Sequence, residues 1–282
     1  MTVTDAELAS LAAEHDIISI GMLADEARRT RHGLRTTFVR VADVTAQPSQ
    51  PVSIPPAAGE IRIVGAPETR SAAIARVDQI LASAGRVPVS AFSLADLEEL
   101  AIREHVTLRS FLEDLRAAGL EIVAEAPFDR LLDARRSIEE VNIAGLALAR
   151  LTIDRLPATD PPSLLKEVSA LQRDVAVLRA FAPLPRRLNP AAPTTGYEDV
   201  KRVALARLFV DVPSIQVDWS LYGQKLAQVA LTVGADDVDA VSAVDDLSEG
   251  RRRAPLEEIQ RNIRAAGLEP IERNGRFESI AR

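Results

Sequence analysis

Three acidic side chains stand at the ends of strand-like segments of this sequence: Glu125 in LEIVAEA, Asp154 in LALARLTIDRL and Asp218 in SIQVDW. A carboxylate that leaves a strand into a closed cavity can take a proton as a general base. The same residue type in the same place also serves as a helix cap or a solvent-facing group, and the sequence leaves both open. Arg155 and Arg179 are further polar candidates on or beside these segments. Other chemistries lack their residues. The 282-residue chain has no cysteine, which removes thiol nucleophiles, disulfides and thiolate metal ligands. Its three histidines, His15, His32 and His105, are far apart and form no HxH or HxxxH pair, so no zinc site is expected. There is no phosphate-binding Walker loop, GxSxG elbow or GxGxxG turn.

The elements that must position these residues alternate. Residues 5–30 read as two helices, the second with Ile18, Met22, Leu23 and Ala27 at helical spacing and Gly33 as its stop. Strand-like runs follow at RTTFVRVADV, EIRIVG, VPVSAFS, LEIVAEA, LALARLTIDRL, VAVLRAFAPL and SIQVDW. Helical stretches separate them at residues 68–83, 94–118 (broken near His105), 137–144, 163–173 and 197–210, and another covers 223–233. Strand–helix alternation of this kind builds βαβ units around a parallel sheet. Seven strands over most of the chain favour an α/β, TIM-like (partial) βα barrel over an open sheet. Residues 1–33 are then a helical lead, 34–245 the barrel and 246–282 an αβ extension packed on it, one domain overall. The segments LRAAGLEIVAE and IRAAGLEPIER are near copies, each a glycine-ended helix turning into a strand. Residues 45–59 hold four prolines and should lack regular structure, as a connector rather than a lid.

A net charge of −7 argues against a nucleic-acid partner. The basic run Arg251-Arg252-Arg253 reads as a solvated loop more readily than as a phosphate site. No apolar run reaches 18 residues and no signal-like start is present, so a cytoplasmic location without membrane association is the default.

One stretch is more specific. VDWSLYGQKLAQVALTVGADDVDA (217–240), preceded by KRVALARLFVDVPSIQ, resembles the end of the aminofutalosine synthase, dehypoxanthine futalosine cyclase and deazaflavin-cofactor synthase group of radical S-adenosylmethionine (SAM) enzymes. Trp219, Gly223, Lys225 and Gln228 match W-x(3)-G-x-K-x(2)-Q, and Gly234, Asp236, Asp237 and Asp239 match GA-[ND]-D-x-D-G. Gln224 stands in place of the usual proline and Ala240 in place of the final glycine. The lead DIISIGMLADEARRTRHG, ending in His32-Gly33, is similar as well. The resemblance implies a βα barrel. It also implies ligand-binding roles for Trp219, Lys225, Gln228, Asp236, Asp237 and Asp239, with the alternative that Trp219 packs in the core and the acids cap the next element.

The group's chemistry starts at a four-iron cluster held by a CxxxCxxC loop after the first strand, where this chain has the proline-rich segment. A Gly-Gly turn after the second strand is reduced to Gly65-Ala66-Pro67, and the turn after the fourth is Ala124-Glu125-Ala126-Pro127-Phe128, without glycine. The expectation is therefore a radical-SAM-like protein without cluster, metal or other cofactor. It would serve as partner subunit or regulator of a cysteine-containing homologue in menaquinone biosynthesis through futalosine. The alternative is an iron-independent enzyme or ligand binder whose barrel mouth takes a nucleoside-like or aromatic acid molecule.

Overall fold

The computed structural model describes residues 4–47, 53–156, 161–187, 190, 193–245, 250 and 254–280. Arg251-Arg252-Arg253 and the centre of the proline-rich segment lie outside the described residues.

Among the described residues the barrel wall is built from parallel strands β1 (Arg35–Thr45), β2 (Glu60–Val64), β3 (Val89–Ser93), β4 (Ile122–Pro127), β5 (Ala147–Leu148), β6 (Leu151–Ile153), β7 (Ala180–Pro185), β8 (Ser214–Asp218) and β9 (Asp237–Ser242). β5 and β6 both pair with β4 and act as one strand interrupted at Ala149-Arg150. Each strand bonds its successor, and β9 returns to β1 through Thr37↔Asp237 and Phe38↔Val238. Counting β5 and β6 as one, eight strands close a barrel. β10 (Glu269–Arg273) lies parallel to the first half of β1, ahead of the point where β2 takes over at Val41↔Glu60. The 246–282 extension is thus bonded to the barrel's base.

Two helices precede the barrel: α1 (Asp5–Ala13) and α2 (Ile17–His32). Around it run α3 (Arg70–Ala84), α4 (Leu94–Arg103), α5 (Leu108–Ala117), α6 (Ala134–Ile143), α7 (Pro161–Val175), α8 (Gly196–Phe209), α9 (Trp219–Leu231) and α10 (Pro255–Ala265). Local chemistry sets their starts. Thr4 with Glu7, and Thr195 with Glu198, form capping boxes, and Asp16, Thr69, Thr107, Asp133 and Asp218 accept from first-turn backbone amides. Outward strand residues such as Ile61, Ile63, Val123 and Phe181 are fully buried, as the core between sheet and helices requires.

Three sequence expectations change. Asp237 and Asp239, expected to bind ligand or cap the next element, instead lie within β9, the strand that closes the barrel; aspartates disfavour strands, but these two face inward onto arginines. The strand read from Val175 starts at Ala180, because α7 runs to Val175 and Ala176 takes a positive φ of 52°. Trp219 opens α9 rather than ending β8, and the helix breaks at Gly223 with φ 69° and ψ 176°, a conformation that glycine adopts without strain.

Candidate functional site

The barrel interior is filled by charge, not by the apolar layers that parallel barrels commonly pack. Period-2 alternation turns Glu60 and Arg62 of β2, and Asp237 and Asp239 of β9, toward the axis. At the base, Arg273 at the end of β10 grips Asp237 with two bonds, Nε to Oδ1 at 2.6 Å and Nη2 to Oδ2 at 2.7 Å. Gln216 Nε2 donates to the same carboxylate at 2.8 Å, Thr37 Oγ1 donates as well, and Arg273 lies 4.0 Å from the centre of the Phe277 ring. One level up, Asp239 accepts from Arg62 Nη2 at 2.8 Å and from Arg150 Nη1. Arg62 Nε also donates to Glu60 at 3.0 Å, and Ser90 Oγ donates to the same oxygen at 2.5 Å. Arg62, Arg150, Glu60 and Asp239 are all under a tenth exposed.

Burial opposes the charged form of each of these four groups, and their mutual field decides the outcome. The guanidiniums of Arg150 and Arg62 outweigh burial at Asp239 and hold its carboxyl well below the ordinary range; Glu60 is held low in the same way. Asp239 and Glu60 raise Arg62 against its burial. Arg150 goes the other way: burial, then repulsion from Arg62, push it below the usual guanidinium value. An arginine does not give up its proton at working pH, so this strain is felt as lost stability rather than as neutralisation.

Above this level the strands end in a cavity of about 320 Å³, at the C-terminal mouth where parallel barrels place their working residues. Its lining includes Asp43, Phe92, Ser93, Glu125, Arg130, Arg150, Asp154, Arg186 and Asp218. Arg186 bridges Glu125 at 3.0 Å and also donates to Asp218. Asp218 caps α9 as well, accepting from Ser220 Oγ at 2.7 Å and Leu221 N at 3.0 Å. Asp154 accepts from Arg187 Nε at 2.8 Å, and Arg130 donates to Asp96 at 2.8 Å. Burial raises the carboxyl of Asp43, with Arg62 opposing. Two mouth residues have left-handed backbones without being glycine, Phe92 at φ 60° and Ala240 at φ 57°. The second lies where the resembled sequences have glycine.

The three sequence-derived carboxylates, Glu125, Asp154 and Asp218, therefore meet in one cavity, and all three are paired with arginine. Asp237 and Asp239 lie below it on the axis. The remaining ligand candidates lie elsewhere. Asp236 sits outside the barrel wall, where it accepts from Arg207 of α8, from Ser214 Oγ at 2.9 Å and from Ile215 N at 2.8 Å. Gly234 serves the same contact, since a Cβ there would lie 2.8 Å from Arg207 Cβ. Lys225 is exposed, and Trp219 and Gln228 are half-buried, on α9 outside the cavity lining. Gln224, in place of the usual proline, donates to Glu258 and ties α9 to α10. Arg155 is exposed beside Asp154, and Arg179 lines a separate depression at the opposite end of the barrel.

Sequence reasoning missed Arg62, Arg150, Arg186 and Arg273. The available signal was period 2: charged residues at every second position of EIRIV and DVDAV share the inward face.

The chain's residues do not fit an iron–sulfur cluster. Thiolates hold such clusters, and this sequence has none, in residues 46–59 or anywhere else. Among the described residues no group of three His, Cys, Asp or Glu side chains could hold a metal ion. No helix among them is long and apolar enough to cross a membrane.

Comparison with known proteins agrees with the resemblance. Residues 183–281 match the CofH/MqnC C-terminal region. The 5-amino-6-(D-ribitylamino)uracil–L-tyrosine 4-hydroxyphenyl transferase of Archaeoglobus fulgidus is 24% identical over 213 residues, covering 64% of this chain and 62% of that protein. The cyclic dehypoxanthine futalosine synthase of Streptomyces coelicolor is 26% identical over 193 residues, 62% of this chain and 48% of that one. The chain thus aligns with roughly half to three-fifths of the length of these relatives. Methylornithine synthase superposes with a TM-score of 0.67 at 13% identity, over 96% of this chain and 94% of that one. The FeFe-hydrogenase maturase HydG from Carboxydothermus hydrogenoformans superposes with a TM-score of 0.66 at 12% identity, over 96% and 76%. The closed βα barrel is the fold of these neighbours, and residues 183–281 are similar to the CofH/MqnC C-terminal region.

Proposed function

We propose that this chain is a radical-SAM-like barrel that performs no radical SAM chemistry and acts as partner subunit or regulator of a cysteine-containing homologue in futalosine-type menaquinone biosynthesis. The observation that carries the reading is the barrel axis. The Glu60–Arg62–Asp239–Arg150 group pairs its charges internally below the mouth, while the loop after β1 has no thiolate. A scaffold kept closed by its own ion pairs, without cluster ligands, suits a supporting role. Similarity to the Streptomyces coelicolor synthase supports the choice of pathway.

The test is co-expression with a cysteine-containing radical SAM homologue from the same host. The expected result is a stoichiometric complex by size-exclusion chromatography with light scattering, and altered turnover by the homologue when this chain is present. Independent migration with unchanged turnover would defeat the partner reading. A second reading, an iron-independent enzyme or binder of a nucleoside-like or aromatic acid molecule, is favoured by the mouth cavity with its arginines and carboxylates. Glu125, Asp154 and Asp218 are its candidate bases.

A further inference from the structure

The carboxylates that face Arg150 do not use all of it. Its Nη1 donates to Asp239, but Nε and Nη2 are buried without any partner, on a side chain only 2% exposed. Those two nitrogens form one edge of the guanidinium plane, the edge whose parallel N–H bonds match the two oxygens of a carboxylate. Among the described residues no group is placed to fill it. Both oxygens of Asp239 are taken by Arg62 and Arg150, and Glu125 and Asp218 are taken by Arg186. Arg150 lines the mouth cavity together with Ser93 and Arg186, and Ser93 Oγ and Arg186 Nε are likewise buried and unpartnered. Buried donors of a charged group are costly to leave unbonded, so three side chains with open donors around one cavity define a place for an acceptor.

We propose that the barrel mouth takes a small organic carboxylate, bound side-on by Nε and Nη2 of Arg150, with Ser93 Oγ and Arg186 Nε as further donors. This deepens the ligand-binding reading and rests on it. The ligand's charge is bounded from the other side. Asp43, Glu125, Asp154 and Asp218 share the cavity lining, so a dianion such as phosphate meets more repulsion than a single carboxylate does. An acceptor at Arg150 also offsets the repulsion that Arg62 and Arg186 exert on it. The part of the ligand away from the carboxylate faces these acids and should carry hydrogen-bond donors rather than further negative charge.

The experiment titrates the wild-type protein with benzoate, benzamide and inorganic phosphate while following the arginine side-chain Nε–H resonances by NMR. The Arg150 signal is identified by its loss in Arg150→Lys. Benzoate should shift that resonance saturably with a Kd of about 1 mM, in the range of a weak fragment. Benzamide, the neutral analogue, should leave it in place, and Arg150→Lys should bind benzoate about tenfold or more weakly. A larger response to phosphate than to benzoate would overturn the carboxylate assignment. Equal benzoate affinity in Arg150→Lys, or no Arg150 shift with any probe, would overturn the site. If Arg150→Lys does not fold, a wild-type crystal soaked in 4-bromobenzoate decides instead. The bromine anomalous peak should lie in the mouth with the carboxylate on Arg150, and a peak elsewhere or none refutes the proposal. These readouts do not depend on any partner protein, so failure of the complex with a radical SAM homologue remains a separate result.

Discussion

Asp239→Asn tests the view that the barrel axis is held by a dry ionic group. In the wild type both carboxylate oxygens are occupied, one by Arg62 Nη2 at 2.8 Å and the other by Arg150 Nη1. An asparagine of the same shape accepts from one guanidinium and turns an NH2 donor toward the other. It also leaves Glu60 alone to balance two buried cations. Breaking a buried ion pair by removing one partner costs about 3–5 kcal/mol. At roughly 2–4 °C per kcal/mol for a domain of this size class, Tm should fall by about 6–20 °C. Replacing Arg150 by Met in the same chain removes the stranded cation, so the double variant should recover part of that loss, with a coupling of about 1–3 kcal/mol in the cycle. The pH dependence follows from the direction of the Asp239 shift. Its folded value lies below the unfolded one of about 3.9, so its contribution is fully present above that pH and is lost as pH falls further. The difference between wild type and Asp239→Asn should therefore be constant from neutral pH to about pH 5 and shrink below about pH 4. Urea melts at several pH values measure it. A loss under about 1 kcal/mol at pH 7, the range of solvated surface pairs, would refute the dry-network argument.

Arg273→Ala at the base should cost about 3–5 kcal/mol by chemical denaturation, since it strands Asp237, whereas Arg273→Met combined with Asp237→Leu should be close to neutral. Ala240→Gly should raise stability by about 0.5–1 kcal/mol, because it relieves a left-handed alanine at φ 57°; a fall in Tm would contradict that backbone. His32 is half-buried, and burial pushes its pKa below the ordinary value despite Asp236 at 3.6 Å. The unfolded chain therefore takes up the proton first, and stability present above about pH 6.5 should decline as pH falls from there toward the lower folded value, a decline that His32→Gln should lessen in urea melts. Lys225→Ala should leave the unfolding free energy within about 0.5 kcal/mol of wild type and benzoate binding unchanged, whereas half-buried Trp219→Ala should cost about 2–3 kcal/mol.

The alternation of strands and helices was legible because outward strand faces are apolar and the helices carry their own caps. Thr107 and Asp133, for instance, start helices close to where the residue pattern does. The repeated AAGLE segments behaved as read, with Gly119 and Gly267 each ending a helix ahead of a strand. What the pattern hid was the closing strand. Propensity reads two aspartates in DVDAV as a turn, and only arginines from Arg62, 88 residues before Arg150, and from Arg273 beyond the barrel make a strand of them. Such neutralisation is a tertiary fact, set by which strands face the axis. The three candidate bases were found individually because each ends a strand, but their arginine partners, Arg186 for Glu125 and Asp218 and Arg187 for Asp154, follow β7 in a segment that reads only as basic and proline-rich.

The same geometry bears on what the retained C-terminal motif does in the fold. In this chain Asp237 and Asp239, within the motif shared with the CofH/MqnC region, bond Arg273, Arg62 and Arg150, so they hold β9 to the extension strand, to β2 and to the interrupted fifth strand. A substitution at either position would be resisted by folding alone. Resemblance in this segment therefore attests the scaffold rather than any reaction. Function has to be read from atoms that the fold does not use. Around the mouth those are the open donors of Arg150, Ser93 and Arg186, since the barrel is closed without any contribution from them.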